Sequence, residues 1–108
     1  MTTIWKYQFD VRSAAAVAMP RGAQILTLQK NLGLPTIWAL VDSEAESVER
    51  VIVTCGTGQL APGGLPYIGT WQTDGYVWHA FDGGETELAQ DVHGHYLGPT
   101  QNERTELK

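Results

Sequence analysis

Through most of the first 82 positions, apolar and polar side chains alternate with a period of two, which restricts the chain to β-structure. Successive side chains of an extended strand point to opposite faces, so each alternating run marks one face for burial and one for solvent. Over Thr3–Phe9, Trp5, Tyr7 and Phe9 share one face, and Ile4, Lys6 and Gln8 share the other. Ala23–Lys30 is a second strand. Leu34–Asp42 is a third, apolar on both faces and therefore expected in the middle of a sheet. The turn Asn31-Leu32-Gly33 joins these two as a hairpin. Val48–Cys55 is β-branched, with Val51, Val53 and Cys55 on one face. Tyr67–Gln72 and Tyr76–Phe81 form a second hairpin, whose Asp74-Gly75 pair suits a turn of positive φ.

The remaining segments are connections. Val11–Met19 is ambiguous, because its alanines permit a helical turn but no capped amphipathic pattern develops. Met19-Pro20-Arg21-Gly22 is a turn, Ser43–Ser47 a polar link and Gly56–Pro66 an irregular Gly- and Pro-rich loop. The expected fold is all-β: a small six-stranded antiparallel sandwich or incomplete barrel over residues 1–84. Residues 85–108 lose the alternation. They are expected to form an acidic, mostly irregular C-terminal tail, flexible or docked on a partner subunit, with a short helix over Glu85–Asp91 as the other reading. A small sheet exposes its edges, so a homo-oligomer is expected.

Composition bounds the function. With 108 residues there is room for one domain, and four Trp, four Tyr and two Phe supply a core. The single Cys55 allows neither an internal disulfide nor a cysteine zinc cage, and fits a reducing cytoplasm. The segment MTTIWKYQFDVR lacks the basic flank and apolar run of a signal peptide, and no stretch is apolar for long enough to span a membrane. The net charge is −5, with five Lys/Arg against seven Asp/Glu in residues 1–84 and two against five in 85–108. So few cations make no patch for a nucleic-acid backbone, although a single small anion stays within reach.

Candidate ligand-binding residues are Lys6, Arg21, Gly56, Thr57, Gly58 and His79. The Gly56-Thr57-Gly58 turn could offer backbone amides to a phosphate, but it matches neither phosphate-loop pattern and no helix follows it. His79 alternates with Val77 and Phe81 on a partly apolar face and, as a histidine, could bind an anion or move a proton. Lys6 and Arg21 are among the few fixed cations. His93 and His95 form an H-x-H pair, read as solvated; neither a metal site nor a cofactor is expected. Ser13, Ser43 and Ser47 lack a nucleophile elbow, and Cys55 among valines reads as an inert buried thiol, so no catalytic residue is assigned.

The segments TIWKY, MPRGAQIL, LPTIWALVD, GTG, YIGTWQ and VWHAF, in this order over residues 3–82, resemble a family of small bacteriophage-encoded proteins of unknown function that also occurs in bacterial genomes. The resemblance implies a protein made in an infected bacterium and acting in the host cytoplasm, and it carries over no catalytic residue. Two expectations follow. One is a non-enzymatic binder that counters host defence by sequestering a small anionic nucleotide signal or by blocking a defence protein. The other is a structural or accessory phage protein of the virion or genome-handling machinery, acting through protein contacts.

Overall fold

The computed structural model describes residues 1–87 with their side chains and the backbone of residues 104–106. Among these residues there are strands and turns and no helix. The strands are β1 (Thr2–Gln8), β2 (Ala14–Pro20), β3 (Gln24–Asn31), β4 (Leu34–Asp42), β5 (Ser47–Gly56), β6 (Tyr67–Thr73), β7 (Tyr76–Thr86) and the three-residue β8 (Arg104–Glu106). The first sheet has the order β3-β4-β1-β8, the second β2-β5-β7-β6, with all neighbours antiparallel. The two sheets remain separate, so the fold is a sandwich and not a barrel.

Seven strands lie between residues 2 and 86, one more than the six expected. The added strand is β2, in the stretch whose alanines also permit a helical turn. Alanine has little preference for a strand, so propensity leaves it undecided. Pairing with β5 decides: Ala14 lies opposite Val53 and Pro20 opposite Ser47, which buries Ala15, Val17 and Met19. At the other end β7 continues through Glu85 and Thr86, opposite Arg50 and Glu49. Those two residues are therefore strand, not the start of a helix. Beyond Glu87 the expected tail, including the His93/His95 pair but excepting the backbone of β8, lies outside the described residues.

Trp5, Tyr7 and Phe9 all turn into the core, and the Phe9 and Trp71 rings meet edge to face at 5.8 Å. Burying each such ring contributes about 2–3 kcal/mol before the cost of ordering it. β4 sits between β3 and β1, as its two apolar faces predict. In β5 the inward residues are Val48, Arg50, Ile52 and Thr54, whereas Val51 and Val53 face outward and are half-buried. Both hairpins close in two-residue turns with positive φ at each central position, Leu32-Gly33 and Asp74-Gly75.

Three bulges interrupt the ladders. They fall between Ile25 and Thr27 in β3, between Tyr67 and Gly69 in β6, and beside Val51, where β7 carries Gly83 and Gly84. At Gly69 the free edges of the two sheets come close together: a Cβ there would stand 3.1 Å from Leu28 Cβ. Glycine permits this approach, and it closes one side of the sandwich.

Candidate functional site

β5 ends at Gly56, and the chain turns at once through Thr57 and Gly58, where φ is +89°. The amides of this turn are largely engaged within the chain. Gly56 N donates to Gln59 Oε1 at 2.6 Å, Thr57 N to the Val77 carbonyl at 3.1 Å and Gln59 N to the Gly56 carbonyl at 3.0 Å. A phosphate arriving here would find the Gly56 and Thr57 donors already satisfied.

His79 of β7 lies across from Cys55 of β5 and Thr70 of β6. Its Nε2 is 2.8 Å from Thr57 Oγ1, its Nδ1 is 2.9 Å from Thr70 Oγ1, and Thr70 Oγ1 bonds onward to the Tyr67 hydroxyl. A hydroxyl both donates and accepts, so either tautomer of the ring, and its protonated form, is satisfied by the same partners. Both ring nitrogens are thus held by threonine hydroxyls, and the buried Cys55 is the cross-strand partner of His79 on β5. Beside this chain of groups, Gly56, Thr57 and Gln59 face Tyr76 and Trp78 across a cleft of about 350 Å³, and the two aromatic rings stack at 5.7 Å.

Gly56, Thr57 and His79 thus come together, with Gly58 in the same turn. Lys6 and Arg21 do not join them. Lys6 faces outward from β1 in the first sheet, paired across the ladder with Trp38. Arg21, between β2 and β3, donates to Glu46 at 2.8 Å and Glu87 at 2.6 Å, and these carboxylates, Glu87 foremost, hold its pKa above the ordinary value. No group of His, Cys, Asp and Glu among the described residues has a metal-binding arrangement.

The family comparison covers most of this architecture: residues 1–91 match the model of a domain of unknown function, DUF7352. The chain belongs to the DUF7352 family. The match includes β1 to β7, hence both hairpins, all three bulges and the Gly56–His79 region of this DUF7352 domain. No curated protein and no solved structure matches the chain.

Two features of the DUF7352 domain escape a reading of motifs. One is charge: between Arg50 and Asp82, Asp74 is the only charged residue. This uncharged interval supplies most of the outer surface of β5, β6 and β7, including Tyr67, Thr70, Val77, His79 and Phe81, with Glu49 at the margin where β5 begins. The gap in charge is visible in the sequence without any motif. The other is Arg50, only 6% exposed, which donates to Asp82 at 3.1 Å, to the Ala23 carbonyl at 2.6 Å and to Glu85 at 3.4 Å. Its signal is phase, for Arg50 shares the parity of Val48 and Ile52, the two fully buried residues of β5.

Proposed function

We propose that this DUF7352 domain is a non-enzymatic binding protein that holds a partner protein against the outer surface of β5, β6 and β7. The observation that carries this reading is the uncharged interval between Arg50 and Asp82, broken only by Asp74 at a hairpin tip. The centres of protein interfaces are depleted in charge and enriched in aromatic residues, with hydroxyls adding adaptable hydrogen bonds. Tyr67 and Phe81, packed edge to face at 5.8 Å, and the Thr57–His79–Thr70–Tyr67 chain have this character. In a chain of net charge −5, this is also where an acidic partner meets least repulsion.

The partner surface is accordingly apolar with interspersed hydrogen-bonding groups. Sequestration of an anionic nucleotide has less support, because the amides of the glycine turn are engaged and Lys6 and Arg21 lie apart from it. The setting implied by the phage resemblance, a protein of the infected bacterial cytoplasm that blocks a defence protein, belongs to the same proposal.

A photoreactive amino acid at Phe81, with a second placed at Ile4 on the outer face of the other sheet, tests the reading in host-cell extract. The Phe81 probe is expected to give one discrete adduct that excess unlabelled wild-type chain displaces and a folded Val53→Lys variant does not. Equal labelling from Ile4, or no adduct open to competition, overturns it. Identification of the adduct separates a defence protein, a virion protein and a second copy of the chain.

A further inference from the structure

A second concavity lies at the seam between the sheets, where the β3 edge faces the start of β6, a solvent-open cleft of about 360 Å³. Regular strands would not build this cleft. In an unbroken strand consecutive side chains point to opposite faces, yet Ile25 and Leu26 both line the cleft, as do Tyr67 and Ile68. The cause is the pair of bulges, one in β3 between Ile25 and Thr27 and one in β6 between Tyr67 and Gly69. Bulges that re-aim side chains in this way concentrate beside functional sites.

The inner wall is polar. Arg50 and Asp82 line it as an ion pair, with Arg50 held further by Ala23 and Glu85. A guanidinium has five N–H donors, and the described residues supply three acceptors. Nε is buried and finds no acceptor among the described residues. Asp82 in turn balances Arg50, and Glu85 adds a further negative charge close by, so the wall offers an anion no net attraction. At the mouth stand Leu26 and Tyr67, large apolar groups exposed by 45% and 60%.

We propose that this cleft binds an uncharged amide-like group carried on a small apolar body. The amide carbonyl accepts from the Arg50 guanidinium, its N–H donates to Asp82, and the apolar body lies between Ile25, Leu26, Tyr67 and Ile68. A neutral donor–acceptor pair complements a neutralised ion pair without stranding a charge in the cleft. The same chemistry is offered by an amide-bearing small molecule and by a peptide bond beside an apolar side chain. The site is separate from the protein-binding face proposed above, although Tyr67 borders both.

The test is titration of the isotopically labelled chain, followed by amide and guanidinium NMR. The probes are N-acetyl-L-leucinamide, the anionic N-acetyl-L-leucine and the cationic L-leucinamide, with an acetylated and amidated Gly-Leu-Gly tripeptide to distinguish a peptide from a small molecule. The neutral leucinamide is expected to shift Ile25, Leu26, Tyr67, Ile68 and the Arg50 Nε–H saturably. The anionic probe should bind about tenfold more weakly or worse, because it brings an uncompensated charge to a wall where two carboxylates already face one guanidinium. Tighter binding of the tripeptide than of the leucinamide supports a peptide occupant, and the reverse a small molecule. A Leu26→Trp variant that fills the exposed mouth should lose these shifts and keep the rest of its spectrum. Shifts scattered over the surface, no saturation by either neutral probe, equal binding of the carboxylate, or undiminished binding to Leu26→Trp would each overturn the proposal.

Discussion

At Leu32 the backbone is left-handed, with φ of +52°, and the side chain is 89% exposed, so its Cβ is strained and almost no packing repays the strain. An L-residue in this region costs about 1–2 kcal/mol, whereas Asn is accommodated there and Asn-Gly is favoured in such hairpins. Leu32→Asn is expected to raise unfolding stability by about 1 kcal/mol, shifting the denaturation midpoint at unchanged slope. Arg50 is the opposite case. Arg50→Met leaves the partly exposed Asp82 and Glu85 without their cation and the Ala23 carbonyl without its donor, and is expected to cost about 1–3 kcal/mol, read by the same measurement. Asp42 is an acid-sensitive contact of smaller weight. Its carboxylate accepts the Glu44 amide and then the Met1 ammonium, which hold its pKa below the ordinary 3.8. A pKa depressed by folding contributes stability that is present above the unfolded value and lost as pH falls through the folded one. Stability curves of wild type and Asp42→Asn should therefore converge as pH falls below about 4, and a constant gap down to the acid limit would exclude this origin.

The strands were legible where alternation or turn chemistry was strong. β1 and the Phe9 that follows it show their buried face in three aromatics, β4 its central place in two apolar faces, and each hairpin its Gly at a position of positive φ. β2 was not legible, because alanine alternating with Val17 and Met19 gives little contrast and the strand depends on β5 for its partner. The inner face of β5 was not legible either. Apolar residues occupy both parities, and so do the two adjacent charges, Glu49 and Arg50, so neither face is marked unless the partners of Arg50, Asp82 and Glu85, are known. The candidate site divides in the same way. Gly56, Thr57 and His79 meet because β5 and β7 are neighbours, while the separation of Lys6 and Arg21 from them depends on which sheet each segment joins. The observed phase has a direct consequence for mutation. Ile52→Ala should cost about 2–5 kcal/mol through the cavity it leaves, and Val53→Thr less than about 1 kcal/mol. Equal losses in chemical denaturation would contradict the assigned inner face of β5.

Across the whole molecule the charge is segregated, and this separates the modes of binding open to it. The described acidic residues lie mainly at strand ends and turns: Asp42, Glu44 and Glu46 between β4 and β5, and Asp82, Glu85 and Glu87 along and beyond the last part of β7. Arg12, Arg21 and Arg50 are each paired with such carboxylates, and Lys30 donates to the Gln72 carbonyl. A ligand held by phosphate contacts would need these cations or Lys6, and added salt would release it steeply. A partner held by the uncharged face would feel salt differently. Burial of apolar surface is not screened, and with both partners' net charge kept at a distance, salt removes only residual long-range repulsion. The yield of the Phe81 adduct is therefore expected to stay level or rise as sodium chloride increases from about 50 mM to about 500 mM, a range over which the screening length falls from above 10 Å to a few ångström. A fall of tenfold or more across that range would mean that paired charges hold the complex, and would move the binding surface from β5, β6 and β7 to the carboxylate–arginine clusters around Arg21 and Arg50.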